Sequence, residues 1–164
     1  MASAPMPANE NARLKVLRSL DILDTPQEDF SQALAVAAAS IANTPIAAIT
    51  LVDAERQWFK GSHGLAVRQT PRAIAFCAHT ILNATPLIVE NALADPRFHT
   101  NPLVIDDPHI RFYAGLPLLV SGHRVGALCV IDNRQRTLSD CQLARLQSLA
   151  RGTSAWLEGF RLEA

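Results

Sequence analysis

Apolar positions are densest between residues 111 and 132, where the chain runs RFYAGLPLLVSGHRVGALCVID. The pattern predicts two strands joined by a two-residue turn at Ser121-Gly122, because a dipeptide ending in Gly between β-rich runs supplies the positive φ angles that tight hairpins need. The second strand, 125–131, shows almost no polar alternation, which predicts a central strand covered on both faces.

Upstream, Leu14, Leu17 and Leu20 recur at helical spacing among charged neighbours, predicting a short amphipathic helix. Thr25-Pro26-Gln27-Glu28 reads as a helix start: Thr25 as cap, Pro26 where its missing N–H costs nothing, Glu28 closing a capping box. Phe30, Leu34, Ala37 or Ala38, and Ile41 mark the expected buried face of that helix, and Asn43-Thr44-Pro45 stops it. Residues 46–52 form an apolar run of strand length, 53–56 turn, and 57–63 pair back, with Trp58 and Phe59 as packing residues. Residues 73–82 have helical composition and 87–89 form a short strand. The long polar-aromatic segment 90–110 is too extended to be a mere connector and is expected to cover one sheet face. Ser139 and Gln142 have capping-box spacing. They open a last helix whose stripe is Leu143, Leu146, Leu149 or Ala150, Thr153, Trp156 or Leu157, and Phe160. Residues 1 to about 10 are expected to be a disordered lead, leaving 11–164 as one domain. The order helix, helix, hairpin, excursion, hairpin, helix predicts an antiparallel α+β sandwich.

Composition narrows the function. The 164-residue chain has a formal net charge of zero, so no basic excess exists to release counterions from phosphates, and a nucleic-acid partner is not expected. No apolar run is long enough to span a bilayer, so no membrane partner is expected either. Cys77, Cys129 and Cys141 are odd in number and widely spaced, which suits a reducing cytoplasm and matches no zinc pattern.

The chemistry-bearing residues gather around the excursion. In Cys77-Ala78-His79 the two side chains would point about 200° apart on a helix. That argues against a shared metal or a Cys–His catalytic pair there, and leaves a structural or pocket-lining role as the expectation, with redox or covalent chemistry at Cys77 as the alternative. Asp95, Arg97 and Arg111 either orient a polar or anionic ligand, or pair with one another and pin the loop. His99, His109 and His123 have no ligand spacing. No P-loop, dinucleotide fingerprint or nucleophile elbow occurs. The expected site is a small-molecule cavity under segments 73–82 and 90–110, with Phe76, Cys77, His79, Asp95, Arg97, Phe98, Arg111 and Tyr113 as ligand-binding residues. No catalytic residue, metal or cofactor is expected.

The RFYAGxPL strand, the strand ending GALCVID and the following LSxxQ helix start resemble a GAF domain. LDTP at 23–26, ITLVD at 49–53, QWFK at 57–60, GL at 64–65, FCAH at 76–79 and ADPRF at 94–98 extend the resemblance in one consistent order. It implies an antiparallel sheet of about five to six strands, with the N- and C-terminal helices on one face and a helix and loop ligand cover on the other. It also implies a sensory module of the kind attached to diguanylate cyclases, phosphodiesterases and histidine kinases in bacterial signalling, regulating a partner or an output domain missing from this chain. The chain would then be a stand-alone sensor or an excised piece. An interaction-only dimerisation module and a small redox enzyme are the alternatives.

The chain departs from three GAF subtypes. It lacks the NK…F…DE pattern of cyclic-nucleotide binders, and Ala78 separates the Cys and His that adjoin in bilin binders. It also lacks cysteines at 87–111, where free methionine-sulfoxide reductases carry theirs, although Cys77 falls near one of their positions. A sulfenic acid on Cys77 would find a resolving thiol only if the fold brought Cys129 or Cys141 close. Related domains pair in parallel through their terminal helices, which implies a two-fold dimer with Leu17, Trp156 and Phe160 at the contact.

Overall fold

A computed structural model describes residues 3–163; Met1, Ala2 and Ala164, the outermost residues of the expected lead and of the domain, lie outside it. Helices α1 (Glu10–Ser19) and α2 (Asp29–Ala42) precede the hairpin β1 (Ile46–Val52) and β2 (Arg56–His63). There follow β3 (Gln69–Pro71), the one-turn α3 (Cys77–Thr80), β4 (Leu87–Val89) and the one-turn α4 (Pro102–Ile105). The second hairpin, β5 (Phe112–Val120) and β6 (His123–Asp132), leads into the long α5 (Asp140–Glu163).

The six strands form one sheet in the order β3-β2-β1-β6-β5-β4, antiparallel throughout. The turn between β5 and β6 falls at Ser121 (φ 49°) and Gly122 (φ 76°), the doubly positive geometry that matches strand twist. β6 lies between β1 and β5 and is buried from Val125 to Asp132, as its unbroken apolar run requires. At Gly126 the neighbouring strand comes so close that a Cβ would sit 1.8 Å from the Thr50 carbonyl oxygen.

Strand alternation divides the core in two. One face carries Ile49, Leu51, Trp58, Phe112, Leu116, Leu118, Leu128 and Val130 under α1, α2 and α5. The other carries Ala48, Val52, Phe59, Tyr113, Ala127, Cys129 and Ile131, covered by the segments between β2 and β5. This is the helix layer, sheet and irregular cover that the sequence implied.

Three local expectations are corrected. Helix α2 begins at Asp29 rather than behind a Thr25 cap. The Thr25 hydroxyl donates instead to the Ile22 carbonyl at 2.5 Å and accepts from Lys60 Nζ at 2.9 Å. The box is made by Glu28 and Ser31, whose Oγ accepts from the Glu28 N–H at 3.1 Å. The buried face of α2 is also rotated. Ser31, Ala35, Ala38, Ala39 and Ala42 meet the sheet, because only small residues allow so close an approach: a Cβ on Gly61 would lie 2.4 Å from the Ser31 carbonyl oxygen. The larger Phe30, Leu34 and Ile41 flank that face, and Phe30 meets Trp156 of α5 edge-on at 5.3 Å. Finally, Leu17 is fully buried beneath α1 and offers no surface to a second chain, which removes it from the expected dimer contact.

Candidate functional site

A cavity of about 360 Å³ lies on the sheet face opposite the long helices. Its floor comes from alternate residues of the central strands: Ala48 and Thr50 of β1, Gln57 and Phe59 of β2, Tyr113 of β5, and Cys129 and Ile131 of β6. Phe76 and Cys77 close one side at the start of α3, and Leu103, Pro108 and Ile110 of the excursion close another. The strap 64–67 after β2 makes the remaining wall, and exposed Ala66, Val67 and Asp107 stand at the mouth.

Of the expected ligand-binding residues, the fold brings Phe76, Cys77 and Tyr113 to the cavity and leaves His79, Asp95, Arg97, Phe98 and Arg111 outside its lining. Phe98 stacks behind Phe76, ring centroids 4.1 Å apart and nearly parallel, so it supports the wall from outside. His79 sits edge-on to Phe98 at 4.7 Å, on the side of α3 away from the Cys77–Tyr113 contact. Burial and the nearby Arg97 charge lower its pKa. Arg97 closes on Asp95 through two hydrogen bonds of 3.0 and 2.7 Å, and that bond holds the Asp95 carboxyl below its usual range against partial burial. Arg111 donates to the carbonyls of Val104 and Ile110 at 2.9 and 3.0 Å, tying α4 to the sheet. Asp95 and Arg97 thus pair with each other inside the excursion, while Arg111 pairs with neither and bonds only backbone carbonyls.

Sequence reading missed Thr50, Gln57, the 64–67 strap and Thr70. Gln57 had one available signal: on a strand it shares a face with Phe59, so it points where Phe59 points. Its Nε2 donates to Thr70 Oγ1 at 3.1 Å, and its Oε1 is the one buried side-chain oxygen or nitrogen without a partner among the described residues.

The thiols are arranged unexpectedly. Cys77 Sγ lies 3.1 Å from Tyr113 Oη, which also bonds Thr80 Oγ1 at 2.7 Å. Cys129, from β6, lines the same cavity at its floor. Burial opposes ionisation of Cys77, but the polar groups of Cys129, Thr50 and Tyr113 around it outweigh that and lower its pKa. The nearby Cys77, with burial, pushes Cys129 up. Cys141 is exposed at the start of α5, away from the cavity. No cluster of three potential metal ligands occurs among the described residues, and none of their helices is long and apolar enough to cross a membrane.

Comparison with known proteins extends these observations. The chain is 41% identical over 163 residues to a cyclic di-GMP phosphodiesterase of Pseudomonas aeruginosa, a match that covers 98% of this chain but 28% of that protein. Among solved structures it resembles the GAF domain of a phosphoenolpyruvate-protein phosphotransferase from Coxiella burnetii, with a TM-score of 0.70 at 15% identity over 95% of this chain and 98% of that one. It also resembles the free methionine-R-sulfoxide reductase of Neisseria meningitidis solved with its substrate, with a TM-score of 0.67 at 16% identity over the whole of both chains. At such identities the likeness is one of fold. A family model for the GAF domain matches residues 21–154, most of the chain, and with the sheet order and helix layer above it shows that this chain belongs to the GAF domain family.

Proposed function

We propose that the chain is a small-molecule-binding sensory module of bacterial signal transduction, acting on a separate partner or on an output domain of a longer protein. One observation carries this reading: a cavity of about 360 Å³ is enclosed between the sheet and its irregular cover, where close packing would otherwise leave few voids. The similarity to a phosphodiesterase over a minor part of its length supports the placement, since the matched segment there accompanies a larger remainder. Ligand occupancy would be felt by β1 and β6, whose opposite faces carry the helices, so the sheet itself links cavity and helix layer. A cytoplasmic location fits the three free thiols. Native mass spectrometry of freshly purified protein tests the proposal. A stoichiometric non-covalent ligand lost on denaturation is expected; a bare chain, with no shift in melting temperature across a metabolite panel, would sink it.

The thiols of Cys77 and Cys129, both in the cavity lining, favour a second reading, a redox function in the same cavity. It ranks lower because free methionine sulfoxide brings a carboxylate, and no cationic side chain lines the cavity to receive one.

A further inference from the structure

The polar groups of the cavity identify the chemical class of its ligand. Thr50 Oγ1 donates to the Ala127 carbonyl at 3.3 Å, Tyr113 Oη bonds Cys77 and Thr80, and Thr70 Oγ1 accepts from Gln57 Nε2. Gln57 Oε1 remains open, on a residue only 5% exposed that faces the cavity. A buried carbonyl without a donor forfeits the hydrogen bonds that water would give it, so an arriving donor is favoured there. No Lys, Arg or His lines the cavity, and its one charged lining residue is the exposed Asp107 at the mouth. An anion entering would lose its hydration with no compensating partner and pass a like charge on the way.

Resting on the sensor reading above, we infer that the cavity takes a neutral or cationic, largely apolar small molecule that presents an N–H or O–H donor to Gln57 Oε1. Nucleotides, haem-like pigments with free carboxylates and free amino acids fall outside this class. Gln57 is thereby the specificity-determining residue, with Thr70 fixing its amide.

Three probes built on one bicycle isolate the terms: indole, which carries a donor; 1-benzofuran, of the same shape with an oxygen in place of the N–H; and indole-3-acetate, which adds an anionic side chain. Their binding to the wild type and to Gln57→Leu is measured by ligand-observed NMR titration. Indole is expected to bind the wild type about tenfold or more tighter than 1-benzofuran, with indole-3-acetate weakest. Gln57→Leu should erase the advantage of indole while keeping 1-benzofuran binding; if that variant fails to fold, Gln57→Met replaces it, and the wild-type ranking decides by itself. Equal binding of indole and 1-benzofuran, or tightest binding of indole-3-acetate, overturns the inference. So does a co-purified ligand that proves anionic, although the sensor reading then survives. Absence of binding by all three probes overturns the inference, and only a bare chain in native mass spectrometry as well ends the sensor reading.

Discussion

The hydroxyl of Tyr113 meets the thiol of Cys77 at 3.1 Å, and through that contact β5 holds the short helix α3 against the cavity. The same hydroxyl reaches Thr80 Oγ1 at 2.7 Å, so one phenol fixes both ends of α3. Burial, reinforced by the neighbouring thiols, raises its pKa well above the usual tyrosine range and keeps it neutral at physiological pH. Tyr113→Phe keeps the ring and removes both bonds, leaving the buried Thr80 hydroxyl unpaired. It is expected to cost about 1–3 kcal/mol of stability and to increase amide exchange at 77–80. Urea unfolding and hydrogen exchange check this; an unchanged midpoint would show that water replaces the phenol without loss.

A second network closes the far end of the sheet. Glu10 is held by Arg13 at 2.8 and 3.2 Å and by Arg72 at 2.5 and 3.2 Å, and Arg13, 1% exposed, also donates to the Val52 carbonyl at 2.7 Å. Partial burial opposes ionisation of Glu10, but the two guanidiniums outweigh it and lower its pKa from 4.5 to about 2. A depressed carboxylate stabilises the fold above its unfolded pKa. That contribution, about 3 kcal/mol, is therefore complete above pH 4.5 and is lost as pH falls towards about 2. Glu10→Gln leaves two buried guanidiniums facing each other and should cost roughly 3–5 kcal/mol at neutral pH. It should also flatten the acid limb of the stability profile. An acid limb as steep as in the wild type would place the titration elsewhere.

Free methionine sulfoxide is expected to give no sustained turnover, for a reason that differs from the one the sequence supplied. From sequence, a resolving thiol for Cys77 depended on the fold bringing Cys129 or Cys141 close; the fold puts Cys129 in the lining of the same cavity. What is missing is a cation for the substrate carboxylate. Thioredoxin-coupled NADPH consumption decides the matter. Turnover abolished by both Cys77→Ser and Cys129→Ser would establish the redox function and remove the charge argument with it.

The legibility of this chain divides between local and long-range signals. The Ser121-Gly122 turn and the Ser139–Gln142 box were readable because each is decided by a few consecutive residues; Ser139 and Gln142 do bond reciprocally at 2.9 and 3.1 Å. The Asp95–Arg97 pair was equally local and was half anticipated. The facing of Gln57 was legible from its strand position, but its role and that of the 64–67 strap were not, because both depend on residues 103–110 closing the cavity from far along the chain. The face of α2 was misread because large apolar residues are the usual mark of burial, whereas here tight packing on Gly61 selects alanines.

That rotated face leads to assembly. Phe30 and Val36 of α2 are each about half exposed, Trp156 and Phe160 of α5 are half-buried, and Trp156 bridges Phe30 and Phe160 at centroid distances of 5.3 and 5.2 Å. An apolar ladder along two long helices is more than a sheet contact needs, and contiguous patches of that kind mark interfaces. A second copy of the chain is its proposed occupant, meeting across α2 and α5 without Leu17, which lies inside the core. Such a dimer would set the helix layer of each protomer against the other, where a ligand-induced shift of the sheet becomes a change in helix geometry. Phe30→Glu touches only the exposed rim and Trp156→Glu the centre, so both should weaken self-association, the second by about tenfold or more, while leaving the far-side cavity able to bind the same probes. Sedimentation equilibrium of the wild type and both variants tests this. A wild type that remains monomeric at high micromolar concentration ends the proposal, and a Phe30→Glu dimer as tight as the wild type moves the contact to another face.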